Sequence, residues 1–359
     1  MKKETFEEEF TERYKSVSYP PIDIVVFNEL RSCADLLRMH EKLQIEIKPF
    51  FQRDGVWSAA DQTRFIDSLL KQLPIPSMCF AYDFTTRKWI VIDGLQRISA
   101  IIKFLSPSNK WVLSKLDDID PDLSGANSEE LHNVNSTLHE LVERVENLTI
   151  PITVLRCNFS NEEHMEYLFK IFHRLNTGGI RLNNQEIRNC IYSGTLNDML
   201  LNLDKSEFWK KIHSHLNGKK DRFRSVELIL RIFAFFSDID SYDGNLTNFL
   251  NNFMFKHRRD SKEQLSEFED KFAKCCELLS EKIFPILTLK KLGFTQFEAL
   301  AIGMISNLER VEGLNSEKLE KSVRNFESID LLKGKSLSEG VSRTDKVKKR
   351  LKASIAAFA

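Results

Sequence analysis

The residues best suited to chemistry lie between Trp89 and Ala100, in the segment WIVIDGLQRISA. A β-branched apolar run ends at Asp93 and Gly94, and an amphipathic segment follows directly, which predicts a strand, a tight turn and a helix start. The first N–H groups of a helix lack intrahelical partners and lie at the positive end of its dipole. Gly94 would let a ligand approach the backbone, and Arg97 adds a guanidinium. The segment therefore predicts an anion-binding turn, most simply one for a phosphate.

Other interpretations fit the same residues. An ordinary strand-to-helix turn, with Arg97 paired to a neighbouring carboxylate, would need no ligand. Two further loops resemble the first in composition: one carries Gln52 and Arg53 before Trp57, and the other contains Asn176, Thr177 and Gly178. The second loop could wrap an anion with its backbone amides or simply end a helix. Trp57 could stack on a base or anchor the core.

Alternating and helical apolar patterns predict the elements that position these loops. Strands are expected over 22–27, 43–49 and 89–92, and helices over 30–42 and 97–105, which together form a compact α+β unit. The acidic stretch 106–147 predicts a surface insertion with a helix at 134–145. Beyond residue 160 the pattern is helical, and Asn183 with Glu186 predicts a capping box. The expected divisions are a charged arm over 1–21, an α+β domain over 22–159 and a helical domain over 160–359.

Composition narrows the class of protein. The chain has 359 residues, of which 42% are hydrophobic and 29% are charged. Its formal net charge is zero, so the overall electrostatic field does not favour binding to nucleic acid or to a membrane. Its six cysteines do not have the spacing of a disulfide framework. Its first residues are charged and do not form a signal sequence. We expect a cytoplasmic protein without membrane association. The histidine pairs His213/His215 and His132/His139 lack the further ligands of a metal site, so none is predicted. No Walker A pattern occurs.

Three motifs in order carry a family resemblance: FQRDGVW at 51–57, VIDGLQR at 91–97 and LNTGGIRLNNQEIRN at 175–189. Together they resemble the amino-terminal domain family of the GmrSD type IV restriction endonucleases, which is related to the ParB and sulfiredoxin fold. The resemblance covers about residues 22–192. It implies a ParB/sulfiredoxin-like domain with a small mixed sheet, followed by a mostly α-helical C-terminal domain.

The resemblance also implies a function: binding and hydrolysis of a nucleoside triphosphate, with Mg²⁺, in a bacterial anti-phage restriction system. It implies catalytic roles for Asp93, Gln96 and Arg97. It implies nucleotide or phosphate contacts from residues of all three motifs: Gln52, Arg53, Trp57, Gly94, Arg97, Asn176, Thr177 and Gly178. Leu95 departs from the family pattern, which usually has Gln there, so hydrolysis is less firmly implied than binding.

Family members that cut DNA often carry a His-Asn-His nuclease domain, and this sequence has no recognisable counterpart. We therefore expect a separate nuclease or effector partner and no nuclease activity from this chain alone. Two other functions remain open. The 91–97 turn and the basic segment 343–352 could contact DNA phosphates, in a DNA-binding or nicking protein. Alternatively, the chain could be a non-catalytic regulatory or scaffold subunit.

Overall fold

The computed structural model describes residues 20–45, 47, 57–175, 182–217, 223–337 and 340–359. The chain divides into two compact units, Met1–Arg181 and Leu182–Ala359. The first contains a four-stranded sheet with helices, and the described part of the second is almost entirely helical. The predicted α+β class, with a small mixed sheet followed by helices, is confirmed.

The first unit contains four strands and six helices among its described residues. In chain order they are β1 (Val25–Ser32), α1 (Cys33–Glu41), α2 (Ala59–Leu70), β2 (Met78–Asp83), β3 (Trp89–Asp93), α3 (Leu95–Leu105), α4 (Ser128–Leu131), α5 (His139–Asn147), β4 (Thr149–Cys157) and α6 (Glu162–Leu175).

The sheet has the order β1-β4-β2-β3. β4 pairs antiparallel with β1 and parallel with β2, and β2 pairs antiparallel with β3. The sheet is therefore mixed, and the motif strand β3 lies at one edge of the named strands. Beyond it, Ile45 forms a single parallel bridge with Trp89 and is the only described residue of the strand predicted over 43–49 that has such a bridge.

The core of this unit lies on one face of the sheet. Side chains of alternate residues, including Met78, Phe80, Ile152 and Val154, pack into one cluster with apolar residues of α1, α2, α3 and α5. Because strand side chains alternate between faces, the intervening residues of β2 and β4 face the other way. On that second face α6 contacts β3.

The segment 106–147 is not the surface insertion expected from its acidity. Several of its apolar residues are buried and belong to the main core, including Trp111, Leu123 and Val145. Its backbone is also tied to α2, because Ser114 N donates to Thr63 Oγ1 (3.0 Å) and Asp120 N donates to Asp67 Oδ1 (2.9 Å). The prediction was wrong because sparse apolar residues suffice when hydrogen bonds hold the polar residues between them.

Local side-chain hydrogen bonds set where two helices begin. The helix predicted over 134–145 starts at His139, because Asn133 Oδ1 accepts from Asn135 N and Ser136 Oγ accepts from Leu138 N, which favours turns. The helix predicted from residue 30 starts at Cys33, since Ser32 caps it by accepting from Asp35 N. β1 consequently extends to Ser32, beyond the predicted strand end at residue 27.

The second unit is mainly helical in its described ranges, as the pattern beyond residue 160 predicts. Its α-helices are α7 (Asn184–Ile191), α8 (Thr195–Lys205), α9 (Glu207–His213), α10 (Arg224–Asp238), α11 (Leu246–His257), α12 (Lys262–Leu278), α13 (Phe294–Ile305), α14 (Leu308–Gly313), α15 (Ser316–Glu327) and α16 (Thr344–Phe358). Two short strands, β5 (Leu216–Asn217) and β6 (Leu292–Gly293), pair in parallel. None of the helices in the described ranges is both long and apolar enough to cross a bilayer.

Candidate functional site

The predicted strand, turn and helix are present at 89–105. β3 ends at Asp93, Gly94 precedes α3, and the pairing of β2 with β3 shifts register between Cys79 and Phe80. Cys79 pairs with Asp93 while Phe80 pairs with Val91, so Ile92 is the extra residue of a bulge. A bulge bends a strand and redirects the residues that follow it. Here it immediately precedes the turn that carries the motif side chains.

The amino-terminal end of α3 has no side-chain cap. Gly94 occupies the N-cap position, and its carbonyl accepts the first helical hydrogen bond from Ile98 N (2.9 Å). Because glycine has no side-chain acceptor, it cannot satisfy the N–H groups of the first turn as Ser or Asp would. The first turn also contains no acidic residue. These groups therefore keep the partial positive charge that an anion would meet.

Arg97 is held by two acceptors in the same region. Its Nη2 donates to Asp93 Oδ2 at 2.6 Å, and its Nη1 donates to the carbonyl of Pro76. The Arg97 side chain is 13% exposed, whereas Asp93 is 45% exposed. This is the pairing with a neighbouring carboxylate that the alternative interpretation predicted. A guanidinium has five N–H donors, so these two bonds leave others for a ligand.

Gly94 is required here by backbone conformation and packing. Its φ of +97° lies in the region that side-chain-bearing residues rarely adopt. A Cβ placed on it would lie 2.5 Å from Cγ and 2.8 Å from Sδ of Met78, a fully buried residue. The glycine thus permits close contact between the turn and β2, which explains it without the ligand approach predicted from sequence.

The remaining motif residues are placed differently. Leu95 is half-buried and packs against the main core, so an apolar side chain suits this position where the family pattern has Gln. Gln96 is half-buried in the first turn of α3.

The ring of Trp57 packs edge-on against Phe65 at a centroid distance of 5.2 Å, and it contacts the core as the anchoring interpretation predicts. The other predicted contacts lie outside the described residues: Gln52, Arg53, Asn176, Thr177 and Gly178.

A polar row next to the turn was not predicted from sequence. Thr153 Oγ1 donates to Asn28 Oδ1 at 2.8 Å and lies 3.2 Å from Ser77 Oγ. Thr153 is opposite Cys79 in register, and Cys79 is opposite Asp93, so the row crosses the sheet towards Asp93. These residues are far apart in sequence, and they come together because of the order of the strands in the sheet. The sequence signal was the presence of polar residues within otherwise apolar strands.

Two other kinds of chemistry find little support among the described residues. Burial raises the pKa of Cys79 to about 12, and the nearby Asp93 charge adds to the effect, so its thiol is a poor nucleophile near neutral pH. No group of three or more His, Cys, Asp or Glu residues within the described ranges is arranged to hold a metal ion. His132 and His139 instead lie within hydrogen-bond distance of the carbonyls of Phe104 and Leu131.

The basic segment 343–352 lies mostly in α16, which packs into the second unit. Arg350 is buried and its Nη2 lies 3.4 Å from Glu298 Oε1. Lys348 and Lys352 both donate to Asp240, at the backbone carbonyl and the carboxylate respectively. Several of the charges that could have contacted DNA phosphates are therefore engaged within the protein.

The later half of the third motif forms α7 with the predicted capping box. Asn183 Oδ1 accepts from Glu186 N at 2.9 Å, and Asn183 N donates to Glu186 Oε2 at 2.7 Å. Unusually for a short helix, its polar side chains are buried. Arg188 donates to Asn251 Oδ1 at 2.9 Å and to Gln185 Oε1 at 3.1 Å. In the described ranges, these contacts give Arg188 a role in anchoring α7 within the second unit.

Comparison with known protein families identifies a match for the first part of the chain. Residues 33–193 match the family described as GmrSD restriction endonuclease, N-terminal domain. The matched range contains all three motifs and runs from α1 to just beyond α7. No curated protein and no solved structure matches the chain.

Proposed function

Because residues 33–193 match the family described as GmrSD restriction endonuclease, N-terminal domain, we propose that this chain binds and hydrolyses a nucleoside triphosphate. The same match supports a role in a restriction-type phage defence system. In that setting nucleotide binding would gate action on foreign DNA, carried out with a separate nuclease or effector subunit.

The observation that carries the proposal is the uncapped start of α3 beside Arg97. Backbone N–H groups at a helix start and a guanidinium are both suited to phosphate oxygens. They occur here at one turn, since Arg97 is the third residue of α3. The nucleotide phosphates would bind at this turn, with Gln96 beside them. The hydroxyl groups of Thr153 and Ser77 would then be available to the nucleoside.

Asp93 has a specific place in this proposal. Its carboxylate would repel a free nucleotide and at the same time compete with phosphate for Arg97. A carboxylate is also a ligand that Mg²⁺ accepts together with substrate phosphates. We propose that a magnesium–nucleotide complex draws Asp93 from Arg97 towards the metal and leaves the guanidinium for phosphate.

The test is nucleotide affinity measured by calorimetry for the wild type and Arg97→Ala, with and without Mg²⁺. Loss of one charge-assisted phosphate contact is worth about 1.5–3 kcal/mol, so affinity should fall roughly ten- to hundredfold. Arg38→Ala is the matched control, because Arg38 is an exposed arginine that also pairs with a nearby aspartate, Asp35. Equal affinity of Arg97→Ala and wild type would remove Arg97 from the site.

Asp93→Asn separates the two roles of Asp93. If Asp93 binds the metal, Mg²⁺ should strengthen nucleotide binding by the wild type and have little effect on the variant. Release of inorganic phosphate then distinguishes hydrolysis from binding alone. Tight binding without phosphate release would assign the chain a regulatory role. Binding only to duplex DNA, with a steep salt dependence, would favour the DNA-contacting alternative.

A further inference from the structure

The outer edge of β1 combines exposed apolar side chains with backbone groups that no other described strand pairs. The sheet ends at β1, whose only partner among the named strands is β4. Of the twelve large hydrophobic residues exposed in the described ranges, five lie within 22–30. They are Ile22, Val25, Val26, Phe27 and Leu30. A long, apolar open edge is the feature that natural proteins usually cover or protect with charge.

The hydrogen-bond pattern identifies which residues face outwards. Cys33 N donates to Leu148 O at 2.9 Å, and the antiparallel register continues from this pair along β1. Because hydrogen-bonded pairs alternate along antiparallel strands, the odd-numbered residues of β1 direct their backbone groups to β4. Val26, Asn28 and Leu30 therefore direct theirs to the open edge. The Asn28–Thr153 pair is consistent with this assignment. Side chains approach more closely at positions where the two backbones do not exchange hydrogen bonds. The side chains of Asn28 and Thr153 are close enough to form a hydrogen bond with each other.

We propose that this edge pairs with the same edge of a second copy of the chain, antiparallel and about a two-fold axis at Asn28. The pairing would join two four-stranded sheets into one continuous sheet of eight strands. It is independent of the proposed nucleotide binding.

The outward-facing residues are symmetric about Asn28, which is what a two-fold axis requires. Val26 would pair with Leu30 of the partner subunit, and Asn28 with Asn28 of the partner subunit. Each such pair can exchange two backbone hydrogen bonds. With the axis at Asn28, the backbone groups of all three outward-facing residues form hydrogen bonds, and no backbone N–H at the centre of the strand lacks an acceptor.

The side chains match in this register as well. Val26 is 56% exposed and Leu30 is 69% exposed, so their pairing covers the two apolar side chains of the outward-facing set. Asn28 Oδ1 already accepts from Thr153, which leaves the Asn28 amide N–H groups free to donate across the axis.

Charge does not oppose the association of two copies. Glu29 accepts from Arg31 Nε at 2.5 Å within one chain, so each charge has a partner before pairing. The proposed register places Phe27 opposite Glu29 of the partner subunit and Val25 opposite Arg31 of the partner subunit. No like charges are directly opposed. The zero formal charge of the whole chain removes long-range repulsion between copies.

Sedimentation of the full chain over a range of concentrations tests the proposal. The wild type should form a dimer, and Val26→Lys/Leu30→Lys should weaken it at least about tenfold, because both apolar pairs become like-charge pairs. The control is Val112→Lys/Val134→Lys, which changes two valines that are 62% and 75% exposed elsewhere in the unit. The control should keep the wild-type dimer. A monomeric wild type, or a dimer unaffected by the β1 lysines, would overturn the proposal.

A cross-link tests the axis itself. Directly opposed hydrogen-bonded residues have Cα atoms about 5.5 Å apart, within the range of a disulfide. Asn28→Cys should therefore form a covalent dimer under mild oxidation, whereas Val134→Cys should not. Five of the six native cysteines are buried, which limits competing reactions. Equal cross-linking of the two variants would exclude a two-fold axis at Asn28.

Discussion

Replacing Gly94 by alanine tests why the motif turn requires glycine. Two costs follow from the structure. A side-chain-bearing residue held at φ +97° costs about 1–2 kcal/mol, because its Cβ crowds the backbone. Forcing a Cβ to within 2.5 Å of Met78 Cγ adds about 1–3 kcal/mol of overpacking, since Met78 is fully buried. Gly94→Ala should therefore lower the free energy of unfolding by about 2–5 kcal/mol.

The assay is urea unfolding followed by tryptophan fluorescence, which chiefly reports the first unit because it contains Trp57, Trp89 and Trp111. A double-mutant cycle with Met78→Ala separates the two costs. Shortening Met78 removes Cγ and Sδ, so the cost of Gly94→Ala in that background should fall to about 1–2 kcal/mol, the backbone component. Gly94→Ala with unchanged stability would refute both the conformational and the packing argument. A stability loss that Met78→Ala does not reduce would refute the packing argument alone.

Two further predictions concern charged pairs. Glu298→Gln should lower the free energy of unfolding by about 3–5 kcal/mol, because it leaves buried Arg350 and half-buried Arg231 without their shared carboxylate. Glu320→Gln, at an exposed pair, is the control and should change it by less than about 0.5 kcal/mol. Asp23→Asn should reduce the melting temperature at neutral pH, and the difference from wild type should vanish in acid. The hydrogen bond from buried His164 lowers the pKa of Asp23 below its usual 3.8, so the stabilisation is complete above 3.8 and is lost as pH falls through the lowered pKa. A difference that does not shrink as the pH falls below 3.8 would contradict this linkage.

The motif turn was the most predictable part of the structure, because its determinants are adjacent in sequence. The apolar run, Gly94 and the amphipathic segment after it each specify local conformation. The Asp93–Arg97 pair was also foreseeable, since residues four apart come close where a strand enters a helix. What local sequence could not supply was Met78, which comes from another strand and gives Gly94 its packing role.

Long-range contacts explain the other differences. The burial of 106–147 depends on side chains of α2 that accept hydrogen bonds from its backbone, about fifty residues away. Burial of Arg188 depends on Asn251, which no local pattern associates with α7. By contrast, the helical character of the second unit could be predicted, because helical periodicity is a property of each segment by itself.

The ion pair at the motif turn changes what nucleotide binding must accomplish. A free guanidinium could attract phosphate directly, but Arg97 already has Asp93 at 2.6 Å, so an anion must offset the loss of that contact. The cost is moderate because Asp93 is nearly half exposed and water can replace Arg97 around its carboxylate. It is smaller still if a cation arrives with the anion, since the displaced carboxylate then gains a new partner. Affinity at this turn should accordingly depend on Mg²⁺ more strongly than phosphate contacts alone would require.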